Sequence, residues 1–284
     1  MSRSIVAGVD GSAPAAAAAE WAADEAARQG LPLRIVHVRE PWTGEDEPHR
    51  DVPAGGDEPS TDVLAEAAGV ARKRAPGVEV TTALLNGTVV ASLRAESETA
   101  AMVVIGSRGL GGFAELLLGS VGMGLAGHAR GPVVVVREPG ARRGEIVAGY
   151  DGSPHAEAAM RFALEQAAGR GARVRVVFAW PAPPMPPYAI AYGDLVQEAF
   201  DAEANRVRER VADWRDEFPD VEILDEVVIG HPVPALTDAS READLVVVGS
   251  RGKGPLASLL GSVSHGVLHH AHCPVAVVRP PEEA

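Results

Sequence analysis

The 284 residues suffice for one large domain or two of ordinary size, and 46% hydrophobic residues with only 4% aromatics fit a compact α/β chain built from small branched side chains. A formal net charge of −13 argues against a nonspecific grip on DNA, RNA or anionic lipid, which depends on clustered Lys and Arg, so any anionic ligand has to be held locally. Cys273 is the single cysteine, which excludes an intramolecular disulfide framework, and no apolar run approaches the ~20 residues of a membrane span. Met1 leads almost directly into a strand-like run without a signal-peptide core, so a cytoplasmic location with no nucleic-acid or membrane partner is the expectation.

In chain order, the apolar runs Ile5 to Val9, Leu33 to Val38, Val78 to Leu84, Met102 to Ile105 and Val133 to Val136 alternate with helical patterns, the signature of βαβ units and a parallel sheet. Several are apolar at consecutive positions, as in strands covered by helices on both faces. Ser12 is expected to N-cap an Ala-rich helix with Pro14 in its first turn and Gly30 at its end. The acidic, Pro/Gly-rich stretch from Glu40 to Ser60 reads as a surface loop.

The chain is then written a second time. Ile5-Val-Ala-Gly-Val-Asp10-Gly-Ser12 recurs as Ile146-Val-Ala-Gly-Tyr-Asp151-Gly-Ser153, and Ile105-Gly-Ser-Arg-Gly109 as Val248-Gly-Ser-Arg-Gly252. His128-Ala-Arg-Gly-Pro132-Val likewise recurs as His270-Ala-His-Cys-Pro274-Val. Ser153, Pro154 and Gly169 repeat the helix design of the first copy, and the Pro-rich run from Pro181 with Tyr188 to Gly193 takes the place of the first loop. The polar Pro/Gly stretch Arg137 to Gly144 marks the join, giving domains at 1–138 and 144–284 with a linker at 139–143.

Each copy closes its fourth strand in a glycine-rich turn. Gly106-Ser-Arg-Gly109 is followed by nine residues and Gly119-Ser120; Gly249-Ser-Arg-Gly252 is followed by eight residues and Gly261-Ser262. Glycines allow sharp turns and close approach of a ligand, and a serine-capped helix start offers free N–H groups and a positive dipole end, together a place for phosphate. The same glycines also serve simple strand-to-helix turns. If the first and fourth strands are neighbours, Asp10 faces the Gly106 loop across the crevice where doubly wound sheets bind ligands. Asp10 there accepts from a ribose or adenine edge, or forms an Asx turn in Asp-Gly-Ser. Gly109-Leu-Gly-Gly-Phe-Ala114 and Gly252-Lys-Gly-Pro-Leu-Ala257 satisfy a dinucleotide fingerprint in form only, since they follow the fourth strand and lack the acidic partner; no P-loop is present.

These segments resemble the universal stress protein family in its tandem form, through Val9-Asp10-Gly-Ser12, Gly106-x-x-Gly109-x9-Gly119-Ser120 and the closing His128 to Val136. The resemblance spans nearly the whole chain and points to that family's ATP-binding branch. It implies two doubly wound, adenine nucleotide alpha hydrolase-like domains, each a five-stranded parallel sheet of order 3-2-1-4-5. It further implies ATP, with Mg²⁺, held in copy one by Gly8, Val9, Asp10, Val38, Ile105 and Gly106 on the adenine and ribose side. Gly109, Gly119, Ser120 and Val121 would take the phosphates. In copy two the matching positions are Gly149, Tyr150, Asp151, Ala179, Val248, Gly249, Gly252, Gly261, Ser262, Val263 and Ser264. Gly122 stands where the family keeps a hydroxyl, and the copy-two spacer is one residue short and contains Pro255.

Other residues admit other roles. His265, His269, His270 and His272 cluster as metal ligands would, though solvated histidines explain them as well, and no metal site is assigned. Trp42 and Trp180 either cover an adenine ring or pack their loops, and Arg108 and Arg251 either reach a phosphate or lie on the surface. No Gly-x-Ser-x-Gly elbow, His-Glu-x-x-His or Ser/His/Asp order suggests catalysis. The expected function is therefore a cytosolic ATP-binding and signalling module of stress response, with a slow nucleotide hydrolase or a scaffold with decayed sites as alternatives. An adenine nucleotide is the expected partner. The copies are expected to pair within the chain through their fifth strands, which leaves homo-oligomerisation open. Copy one, with its full spacer, is expected to be the stronger site, because a missing residue shifts the helix start by up to ~3 Å.

Overall fold

Apolar side chains on consecutive positions must be buried on both sides of a sheet, and the strands meet that demand. The computed structural model describes residues 3–40, 58–109, 118–137, 142–181, 193–252 and 260–280. The chain divides into two units, Met1–Pro139 and Gly140–Ala284.

The first unit runs β1 (Ile5–Gly8), α1 (Ala13–Gln29), β2 (Leu33–Arg39), α2 (Glu58–Arg74), β3 (Val80–Asn86), α3 (Val89–Ser97), β4 (Met102–Gly106), α4 (Ser120–His128) and β5 (Val133–Val136). Its strands are parallel in the order β3-β2-β1-β4-β5, with Gly8 level with Val36 on one side and with Ile105 on the other. Helices α1 and α2 pack together and α3 packs on α4, the two layers of a doubly wound fold. The second unit repeats this with β6 (Glu145–Gly149), α5 (Pro154–Arg170), β7 (Arg173–Trp180), α6 (Gly193–Glu217), β8 (Ile223–Ile229), α7 (Pro232–Ala239), β9 (Leu245–Gly249), α8 (Ser262–His270) and β10 (Val275–Val278), in the order β8-β7-β6-β9-β10. A 3₁₀ turn, Ser240–Glu242, leads into β9. No helix among the described residues is long and apolar enough to cross a membrane.

The local signals for α1 and α5 act as expected at their starts. Ser12 and Ser153 accept the amides of Ala15 and Ala156, and both helices carry proline in the first turn. Gly30 ends α1 in the left-handed region at φ 63°. The end of α5 is Gly171 at φ 62°, not Gly169, which sits inside the last turn with open space around it. Sequence alone offers two glycines there, and only the one reached after the last intrahelical bond has to turn left-handed. β3 begins at Val80 rather than Val78, because Val78 spends its N–H on the Ala75 carbonyl after α2. The expected loop from Glu40 to Ser60 is shorter than that, since Glu58 already opens α2, and Gly193 opens α6; residues 41–57 and 182–192 lie outside the described residues.

The two strand-end glycines are where packing is tightest. A β-carbon on Gly106 would stand 2.6 Å from the Pro14 carbonyl carbon, and one on Gly249 2.7 Å from that of His155. Both obstacles are backbone, which cannot swing aside. Gly249→Ala is therefore expected to lower stability by about 1–3 kcal/mol, whereas Gly169→Ala, with no neighbour within 4 Å, is expected to raise it by up to about 1 kcal/mol. Urea unfolding of the two variants checks the opposite signs.

Candidate functional site

In the first unit, β1 gives way to Val9-Asp10-Gly11-Ser12, with Gly11 in the left-handed region at φ 86°. Asp10 Oδ1 accepts the Ser12 N–H at 3.0 Å, and the Ser12 hydroxyl accepts the Ala15 N–H at 3.3 Å. The first turn of α1 is thus closed on its own side chains. Gly106 brings the end of β4 against that turn, and the chain continues so that a β-carbon on Gly109 would stand 2.5 Å from Asp10 Oδ2. The Ser12 hydroxyl also reaches the Arg108 carbonyl at 3.4 Å. Gly119 then donates to the Ser107 carbonyl at 2.8 Å and N-caps α4, where no side chain supplies a cap.

The second unit reproduces each step. Gly152 has φ 77°, Asp151 Oδ1 accepts the Ser153 N–H at 2.9 Å, and a β-carbon on Gly252 would stand 2.5 Å from Asp151 Oδ2. Gly261 donates to the Ser250 carbonyl at 2.8 Å and N-caps α8, again with no side-chain cap. The expected shift of this helix start by the shorter spacer is not seen: the anchoring bond is the same length in both units. The anchoring bond therefore gives no ground for ranking the sites.

Several sequence expectations change role. The helix starts are capped by Gly119 and Gly261, and Ser120 and Ser262 are already inside α4 and α8, exposed. A helix backbone lies on Gly106 and Gly249, and an aspartate carboxylate lies against Gly109 and Gly252. Ser264 is 2% exposed, and its hydroxyl donates to the Gly249 carbonyl at 2.5 Å, tying α8 to the end of β9. Gly122 lacks that tie, and a β-carbon there would meet Leu118 at 3.0 Å.

On the other side of the crevice the matched positions lie at the ends of the central strands. Val9 and Tyr150 donate to the carbonyls of Val36 and Val177, so Val38 in β2 and Ala179 in β7 stand two residues beyond, half-buried. Ile105 and Val248 point into the core at 4% and 3% exposure, and β-carbons on Gly8 and Gly149 would meet Leu93 and Leu236, so these four positions offer main chain only. Tyr150 also offers its main chain. Its hydroxyl donates to Glu157 at 2.5 Å and its ring meets Trp214 of α6 edge-on at 5.0 Å. Arg210 grips Glu157 through Nε and NH2 and lies over the Trp214 ring. Burial and then the Glu157 contact push the Tyr150 hydroxyl well above its ordinary pKa. Burial would raise Glu157, but hydrogen bonds from Arg210 and Tyr150 outweigh it and hold the carboxyl below its usual range.

Trp180 belongs to β7 rather than to a loop, and it packs on Phe200 of α6 at 5.8 Å. Trp42 and most of the fingerprint-like segments, 110–117 and 253–259, lie outside the described residues. His265 and His269 stack at 4.8 Å on α8, and His272 donates its backbone N–H to Ser240; among the described residues no three metal-binding side chains converge. Arg108 is exposed, whereas Arg251 is half-buried with Nε shielded from solvent and, among the described residues, bonded to nothing.

Sequence reasoning missed three contributors. His37 Nδ1 lies 2.8 Å from the Val9 carbonyl and fixes the exit of β1. Glu157 with Arg210 does the corresponding work around Tyr150. His155 takes the place of Pro14 in the first turn of α5, and aligning the two copies residue by residue would have exposed it.

The model of the universal stress protein family matches residues 1–137 and again 143–279. Universal stress protein Rv2005c of Mycobacterium tuberculosis is 36% identical over 97% of this chain and 96% of its own, and Rv1996 of the same species is 33% identical over 98% and 96%. The crystal structure of a universal stress protein from Archaeoglobus fulgidus superposes with a TM-score of 0.70 at 20% identity, covering 99% of this chain and 97% of that one. Two matches to one family model, joined with full-length relatives, mean that the chain belongs to the universal stress protein family, carrying its domain twice.

Proposed function

We propose that each unit binds an adenine nucleotide, ATP with Mg²⁺, and that the protein is a cytosolic binding and signalling module of stress response with little or no catalysis. The observation that carries this reading is the uncapped start of α4 and of α8, each held by a backbone bond to the loop that seats an aspartate. The first-turn amides of Ser120 and Val121, and of Ser262 and Val263, lie where no side chain caps the helix, and the helix dipole favours an anion there. By contrast α1 and α5 consume that capacity on Ser12 and Ser153. In the same reading, the phosphates lie by Gly109 and Gly119 or by Gly252 and Gly261. The base and ribose lie along the main chain of Gly8, Val9, Val38, Ile105 and Gly106, or of Gly149, Tyr150, Ala179, Val248 and Gly249.

Asp10 and Asp151 each have one carboxylate oxygen in an Asx turn and the other against the glycine loop. As acceptor-only groups they suit a ribose hydroxyl, or a water on the Mg²⁺ that accompanies a nucleoside triphosphate. Ser264, already engaged with Gly249, retains lone pairs but has spent its proton, so the second unit is proposed to hold phosphate through amides rather than through that hydroxyl.

Calorimetry with ATP and Mg²⁺ should give two equivalents per chain, and phosphate release should stay well below the ~1 per second of ordinary enzymes. Absence of heat and of a thermal shift at millimolar ATP would remove the reading, and faster turnover would favour the hydrolase alternative. In a second measurement, Gly109→Val and Gly252→Val each drive a side chain into the neighbouring aspartate. Each variant is expected to lose one equivalent while the remaining site keeps its affinity within a few fold; loss of both equivalents in either variant would contradict separate sites.

A further inference from the structure

The duplicated cradle is not electrically the same in the two units. His155 stands in the first turn of α5 with its β-carbon 2.9 Å from where a Gly249 β-carbon would be. Arg251 follows two residues after that glycine, and Arg279 follows Val278, which is level with Gly249 in the sheet and accepts the Ser250 N–H at 2.7 Å. Two guanidinium side chains and an imidazole therefore leave the same end of the sheet from β9, β10 and α5. Among the described residues Asp151, from the exit of β6, is the carboxylate whose charge acts on His155, and Glu157 on α5 is engaged by Tyr150 and Arg210. The half-buried Arg251 keeps an Nε–H shielded from water with no acceptor among the described residues, which an oxyanion would satisfy. In the first unit the place of His155 is taken by Pro14, which cannot titrate.

We propose that His155, with Arg251 and Arg279, forms a proton-coupled phosphate subsite in the second unit, so that nucleotide binding there strengthens as pH falls while binding to the first unit lacks this coupling. The inference rests on the nucleotide reading above and adds its regulation.

Without ligand, burial and then the charges of Arg251 and Arg279 hold the imidazole below its ordinary pKa, with Asp151 opposing, and His155 is neutral near pH 7. A phosphate placed among the arginines neutralises the groups that suppress protonation and adds an acceptor for an imidazolium N–H. The pKa in the complex is therefore higher than in the free protein, binding takes up a proton, and affinity grows as pH falls through the window between the two values. A rise of one unit on binding corresponds to a tenfold change in affinity across that window.

The test uses the full chain carrying Gly109→Val, so that ATP reports on the second unit, with and without His155→Gln. Calorimetry at pH 5.5, 7 and 8 in buffers of different ionisation enthalpy counts protons. The ATP phosphates titrate alike in both proteins, so the difference between them belongs to His155. Expected is a fall in affinity from pH 5.5 to 8 that is on the order of tenfold steeper with His155 than with Gln, and a proton uptake lost in the variant. In the chain that retains His155, its NMR titration should move to higher pH on adding ATP. Identical profiles with an unmoved imidazole would overturn the proposal and leave nucleotide binding intact. No binding at all in the Gly109→Val chain would overturn both for this unit.

Discussion

A helix cannot begin against the end of a strand unless the strand gives up a side chain, and Gly106 and Gly249 do so. With a β-carbon at either place, the backbone of Pro14 or His155 would be less than 3 Å away, and the first turn of α1 or α5 would have to lift from the sheet. Everything at the carboxyl end follows from that approach. It holds the exit of β1 beside the exit of β4, which lets Asp10 fill the space that Gly109 leaves open, and the same pair forms from Asp151 and Gly252. The aspartate therefore joins two loops about a hundred residues apart in sequence, one through its Asx turn and one through packing.

That seating divides the work between the helices. α1 and α5 are closed by their own serines, so their starts are stability features, each cap being worth about 1 kcal/mol. α4 and α8 begin at a glycine with no side-chain cap, and the bond from Gly119 to Ser107, or from Gly261 to Ser250, fixes the direction in which their free amides point. The net charge of −13 does not oppose the proposed anion site, because the attraction is local: amides and a helix dipole act over a single turn, well inside a Debye length of ~8 Å.

What was legible in the sequence was local or periodic. The strands, the duplication and the serine caps at Ser12 and Ser153 follow from short-range pattern, and the crevice rule for doubly wound sheets set Asp10 opposite the Gly106 loop. The rest depends on who lies opposite. That Gly109 lies against Asp10 is visible only once the two loops are in place. That the Ser264 hydroxyl donates to the Gly249 carbonyl, and that Trp180 packs on Phe200, likewise needs the partner from a distant element. The spacer deletion misled for a related reason: loop length limits how far a chain can reach, but the bond at its far end decides where it arrives.

The two units preserve one helical layer and rework the other. Against β1 and β6, Gly8 meets Leu93 as Gly149 meets Leu236, and Gly124 lies on Val90 as Gly266 lies on Val233, so the packing of α3 and α4 is copied in α7 and α8. On the opposite layer, Val9 becomes Tyr150, Ala16 becomes Glu157 and Pro14 becomes His155. A tyrosine and a carboxylate cannot be buried singly without cost, and here they come with Arg210 and the face of Trp214, a network whose members satisfy one another. Such a network is gained or lost as a set. Its position beside the crevice changes what surrounds the exit of β6 while leaving the Asp151–Gly252 contact and the α8 start in the geometry of the first unit. The α4/α8 layer also differs, Gly122 standing where Ser264 ties α8 to β9, but the larger exchange falls on the α5 side, while the cradle's glycines stay fixed by backbone on one side and carboxylate on the other.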